Sequence, residues 1–178
     1  MPRTLITIVA GLSLLGTTTL LANAASPTDP QIAHIAYTAG LIDVEAGQLA
    51  LKKSQNDDVR AFAQRMVGDH TAVNDQALAL VKKLNVTPED NPTSQTLTSQ
   101  ATSARSELSS LQGAAFDKAY VENEVAFHKT VNSALKNTLI PAAQNPELKS
   151  LLEDGLKVFE VHLEHAEHLA TQLKSDGQ

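Results

Sequence analysis

The chain contains no cysteine and no tryptophan, and its four phenylalanines and two tyrosines make aromatics only 3% of 178 residues. Without cysteine, export gains it no disulfide, and no thiol is present to carry a lipid behind a leader. Scarce aromatics argue against the stacking platforms that read carbohydrates or nucleobases, and they oblige a core to be built from alanine, leucine and valine. Positive charge is short as well: 14 Lys+Arg stand against 20 Asp+Glu, a net −6. Nucleic-acid binding is driven by basic patches that release counterions from phosphates, so no nucleic-acid partner is expected; cations and basic surfaces are the partners this charge favours. The sequence also lacks a P-loop, a Gly-rich nucleotide fingerprint, a G-x-S-x-G elbow and an internal repeat. Enzymatic turnover is accordingly not the expected role, and no catalytic residue is assigned.

Residues 1–24 read as a secretory signal peptide. Met1 to Arg3 is a positive start, Leu5 to Leu15 is apolar with small residues interspersed, and Ala22-Asn23-Ala24 has the small-x-small form read by signal peptidase. An uncleaved membrane anchor is the alternative. A span wants about 20 strongly apolar residues, and this run is diluted by glycine and by Thr17, Thr18 and Thr19. The expected product is periplasmic or secreted, with no transmembrane span after cleavage and with outer-membrane association left open.

The remainder, 29–174, is expected to be one domain. Apolar residues recur at the helical 3.6 period and nowhere in strand alternation, so the class is all-α. Helix A is predicted from Asp29 or Pro30 to Lys53, with Ile35, Ala39, Ile42, Ala46 and Leu49 on one face. Helix B opens near Asn56, where Asp57 and Asp58 complement the helix dipole, and runs to about Leu84 with Val59, Phe62, Met66, His70, Val73, Ala77 and Leu80 in line. Pro88 and Pro92 mark a surface connection. A Ser/Thr-rich stretch from Ser94 to Leu111 keeps helical spacing through Leu97, Ala101, Ala104 and Leu108. Gly113 bends or breaks the path, and a second piece from Ala114 to about Thr138 carries Asp117, Val121, Glu124, His128, Val131 and Leu135. Helix D is predicted from Pro146 to about Lys174, with Leu148, Leu152, Gly155, Phe159, His162, Ala166 and Leu169 together. The expectation is an antiparallel four-helix bundle whose third helix is interrupted near Gly113.

Several stripe positions are polar. His70, His128 and His162 lie within the stripes of three different helices, Glu124 is one turn from His128, and Glu45 and Asp117 lie at stripe positions or edges. A buried imidazole or carboxylate costs several kcal/mol unless it is hydrogen-bonded, paired or metal-bound. At about 1.5 Å rise per residue, Glu124 and His162 are level across the last hairpin and His128 is about 6 Å away; Glu45 and His70 are offset by about 7 Å across the first. One shared cluster is therefore geometrically feasible. Imidazole nitrogens and carboxylate oxygens are transition-metal ligands, and bundle cores are a known setting for them. A buried hydrogen-bond network that fixes register without binding anything accounts for the same pattern. The run His162, His165, His168 drifts around its helix in steps of three, which leaves His165 on the flank and His168 toward solvent.

Certain strings are also familiar: Glu45 with Gln48-Leu49-Ala50, Val59-Arg60-Ala61-Phe62-Ala63-Gln64-Arg65-Met66-Val67 followed by Asp69-His70, Gly113-Ala114-Ala115-Phe116-Asp117-Lys118-Ala119-Tyr120, His128, and His162-Leu163 with Ala166 and Leu169. The set resembles family 4142 of the domains of unknown function, exported bacterial proteins often labelled outer membrane proteins. The resemblance implies a ferritin-like four-helix bundle and places the family's polar positions on Glu45, His70, Asp117, Tyr120, His128 and His162. The chain departs from the usual pattern in having Leu156-Lys157 where a Leu-Pro pair is common. It also lacks the Glu-x-x-His repeats of di-iron ferritins, so iron-storage or oxidase chemistry does not carry over with the fold.

The sequence therefore leads to an exported ferritin-like bundle whose interior holds one divalent transition metal on His70, Glu124, His128 and His162, with Glu45 and Asp117 as further or supporting carboxylates, and which serves envelope maintenance or stress tolerance. The alternative is a periplasmic interaction or holdase-like module, engaging an envelope protein through the Ser94–Leu111 region, whose inner histidines are purely structural.

Overall fold

Short capping side chains set most helix starts. The computed structural model describes residues 26–175, so the leader expected at 1–24 lies outside the described residues. Helix α1 spans Asp29–Lys53, with the Thr28 amide donating to Gln31 Oε1 at 3.2 Å. Asn56 caps α2, Asp57–Lys83, by accepting from the amides of Asp58 and Val59 at 3.0 and 3.1 Å. Asn91 and Ser94 cap α3, Pro92–Ser110, reciprocally at 3.1 and 3.2 Å. Such contacts satisfy amides that have no partner within the helix. Helix α4, Gly113–Ala134, passes into a π-helical turn, Leu135–Leu139, and a short α5, Ile140–Ala142. Pro141 has no N–H to offer residue 137, and the Ile140 amide reaches five residues back to Leu135 instead. Asn145 Oδ1 caps α6, Pro146–Ser175, accepting from Glu147 and Leu148 at 2.9 and 3.1 Å. The described residues are all helix and loop, as the periodicity predicts.

Polar contacts between helix ends fix the direction of each element. The Asp29 carboxylate accepts from the Gln144 and Asn145 amides at 2.9 and 2.8 Å, so α1 and α6 start together at one end. Helix α3 starts at that end too, where the Glu89 amide donates to Pro30 O at 3.0 Å, and finishes at the other, where Lys53 Nζ donates to Ser109 O at 2.7 Å. The same Lys53 lies over the Phe116 ring at the start of α4, 5.7 Å from its centre. Helix α4 then returns. This corrects one expectation: Gly113, with φ +54°, is not a break in a single third helix but the reversal between two antiparallel ones. Helix α3 is an outlying strut along α1 that carries the chain from the end of α2 back to the start of α4.

The core lies between α1, α2, α4 and α6 and has two apolar halves. Near the Gly113 end, Val59, Phe62, Met66, Phe116, Tyr120, Ala166 and Leu169 pack together. Near the Asp29 end, Ile32, Ile35, Leu135, Leu139, Leu148, Leu152 and Phe159 do so. Between them lies a layer of buried polar side chains that includes Asp43, His70, Glu124, His128 and His162. Glycine permits a close approach of α1 to α2: a Cβ at Gly47 would stand 2.8 Å from Val67 Cγ2 and 3.0 Å from Ala63 O.

Candidate metal centre

Three imidazoles converge from three helices. The ring centres of His70 on α2, His128 on α4 and His162 on α6 are 5.2 to 5.6 Å apart, and each residue is only 1% exposed. One ring nitrogen from each lies within 4.8 Å of the other two. A second triplet shares His128: one atom each from Asp43, Glu124 and His128 lie within the same mutual distance. Four helices thus supply the five side chains, all buried.

The surroundings fix which nitrogens are available. His128 Nδ1 lies 3.0 Å from the Glu124 carbonyl oxygen and donates to it, leaving Nε2 as the acceptor. His162 Nε2 donates to Asp69 Oδ2 at 2.9 Å, leaving Nδ1. His70 Nε2 stands 3.4 Å from Asp43 Oδ2, and neither of its ring nitrogens makes a well-formed hydrogen bond. His128 Nε2, His162 Nδ1, Asp43 Oδ1 and both Glu124 carboxyl oxygens likewise have no partner of good geometry. Buried polar atoms in folded proteins are almost always satisfied, so this concentration of orphans in one layer is exceptional.

Burial dominates the electrostatics. It pushes His70 well below the ordinary imidazole range, aided by His128 and His162, and brings His128 down to about 4. His162 is lowered by burial too, against the opposing pull of Asp69. All three rings are therefore neutral at neutral pH, the state in which imidazole binds metal. The carboxyls move the other way. Burial, with the neighbouring Glu124 carboxyl, raises Asp43 well above its usual range, and burial raises Glu124 to about 8. Tyr120 is raised by burial and then by the charges of Glu124 and Asp43, so its hydroxyl stays protonated.

Four of the six sequence candidates, His70, Glu124, His128 and His162, meet in this layer. Glu45 does not. It is exposed on α1 and paired with Arg105 of α3, and the carboxylate α1 sends inward is Asp43. Rotation about the helix accounts for this: two residues turn α1 by about 200°, so with Asp43 on the core face beside Ala39, Gly40 and Gly47, Glu45 points away from the core, toward Arg105 of α3. Asp117 is buried but stands seven residues before Glu124, about 10 Å along α4, and belongs to neither ligand triplet. The sequence reading missed Asp43 and Asp69; the latter was legible only as the neighbour of His70. His165 is half-buried edge-on to Phe62 at 5.1 Å and His168 is exposed, as their spacing predicts.

The profile of the family described as Domain of unknown function (DUF4142) matches residues 16–169. An all-helical protein with this buried layer of histidines and carboxyls is the class that fold and site define; the chain belongs to the DUF4142 family. It is similar in structure to a DUF305 protein from Streptomyces coelicolor named as secreted, at a TM-score of 0.67 and 11% identity, covering 81% of this chain and 92% of that one. That likeness concerns the fold. Among functionally curated proteins nothing matches.

Proposed function

We propose that the chain is an exported, ferritin-like four-helix bundle that holds one divalent transition metal in its interior and serves envelope maintenance or stress tolerance rather than turnover. The observation that carries this reading is the set of three neutral, buried imidazoles whose unpartnered nitrogens converge from separate helices. His70, His128 and His162 would bind the ion, and Asp43 or Glu124 would add an oxygen; nitrogen-rich sets of this kind suit zinc, copper or iron. Asp69 would act through His162, in the manner of the carboxylates that orient metal-bound histidines. The bundle reading draws support from α1, α2, α4 and α6 enclosing one core, with α3 as the long connection. Export draws support from residues 1–24 and from the secreted structural relative. No helix among the described residues is long and apolar enough to cross a membrane.

Elemental analysis of protein purified without a histidine tag tests the metal reading. About one ion per chain, and a rise in melting temperature on adding zinc, copper or iron, is expected; metal content near zero with no thermal shift removes it. The interaction or holdase reading gains little from the surface. The large apolar side chains most exposed among the described residues, Leu41, Leu78 and Val161, lie on three different helices.

A further inference from the structure

A solvent-open cleft runs into the half of the core nearest Asp29. This cavity of about 860 Å³ lies among α1, α2, α4 and α6 and reaches the first turns of α3. Clefts of roughly 300–1,000 Å³ are typical of small-molecule sites. Small residues on four facing helices help to leave this space open. At the Gly113 end the core positions hold Phe62, Met66, Phe116 and Tyr120, while the cavity is faced by Ala36, Ala39, Ala77, Ala134 and Gly155.

Three features define an occupant. Its wall holds no ionisable side chain, although 19% of the chain is charged. A charged ligand would be buried there without a partner, at a cost of several kcal/mol. Most of the wall is aliphatic, closed toward the metal centre by Phe159, whose ring lies on His70 with centres 4.5 Å apart. The wall also carries polar side chains, among them Gln31, Asn91, Thr130 and Thr138, but of the lining residues Asn74 is the one with a buried polar atom lacking a partner: it is 6% exposed and its Nδ2 has no hydrogen-bond partner. The amide sits where only glycine fits opposite, since a Cβ at Gly40 would stand 2.3 Å from Asn74 Oδ1. Exposed Thr28 and Thr93 edge the opening.

We propose that this cavity binds an uncharged, lipid-like small molecule, a hydrocarbon body with one carbonyl or hydroxyl head that is satisfied by Asn74. The site is separate from the metal centre and does not depend on it. Nile red, a neutral dye with one carbonyl, is the probe. Its fluorescence on titration with purified full-length protein should saturate at one dye per chain, and 1-hexadecanol should displace it while palmitate does not. Ala77→Leu and Ala134→Leu, on different helices, each narrow the cavity, and the two combined should weaken dye binding at least tenfold without changing metal content. Asn74→Leu should abolish the preference for hexadecanol over hexadecane. Absence of saturable binding by the unmodified protein overturns the proposal. So does unchanged binding in the double leucine variant if it still unfolds cooperatively, or displacement by palmitate as readily as by the alcohol.

Discussion

His162 on α6 donates its Nε2 proton to Asp69 on α2 across 2.9 Å, and that hydrogen bond turns the other ring nitrogen into an acceptor inside the core. Loss of such an orienting carboxylate typically lowers metal affinity about 10–100-fold. Asp69→Ala is therefore expected to weaken zinc binding by a factor in this range in a competition titration. Its carboxylate is half exposed, so the melting temperature of the metal-free protein should move little.

His70→Ala separates ligand from pin. With a bound ion, the variant should lose its metal, and with it the thermal shift produced by adding metal, while keeping its helical circular dichroism. If the ring serves only to pack against Phe159, the variant will instead lose a few kcal/mol of stability at unchanged metal content.

The raised carboxyls give the metal-free protein a definite pH dependence. A group whose proton is held more tightly in the folded state makes stability fall as pH rises between its unfolded and folded values. For Glu124 that window runs from about 4.5 to about 8. The lowered histidines act oppositely, raising stability from about 4 toward 6.5, so the two effects compete in acid and only the carboxyl acts above 6.5. Melting temperature without metal should fall between pH 6.5 and 8, and Glu124→Gln should flatten that fall. A wild-type profile that rises across this interval would contradict the burial assigned to Glu124.

Two glycines in the first hairpin should respond in opposite directions. At Gly47 an added methyl meets the Ala63 carbonyl and Val67, so Gly47→Ala should cost about 1–3 kcal/mol in denaturant unfolding. At Gly68 nothing lies within 4 Å, and Gly68→Ala on this exposed part of α2 should stabilise by about 0.5–1 kcal/mol.

Glu45→Gln should leave metal content unchanged and alter stability by less than about 1 kcal/mol, because its partner Arg105 is exposed as well. A fall in stoichiometry would return Glu45 to the ligand set.

Helix boundaries were legible because they are local. Asn56, Pro92, Gly113 and Pro146 act on their own few residues, and the predicted ends agree with the observed ones to within about two residues except after Ala134, where the π turn intervenes. Direction was not legible. The helical spacing of Leu97, Ala101, Ala104 and Leu108 is the same whether α3 continues into α4 or folds back on it, and only contacts such as Lys53 with Ser109 decide. Three histidines and Glu124 could be found because α2, α4 and α6 each bury a single well-defined stripe. Helix α1 is covered on two sides. Its Ile42 and Ala46 face α3, beside Leu97 and Leu108, while Ala39, Gly40, Asp43, Gly47 and Ala50 face the core. The larger side chains on the α3 side drew the expected stripe toward Glu45, and the core face, marked by small residues, was overlooked together with Asp43.

Asp43 and His70 belong to the α1–α2 hairpin; Glu124, His128 and His162 belong to α4 and α6. Each ligand triplet draws on both halves, so an ion captured here would rivet one to the other, and its loss would first be felt as slippage at the seam.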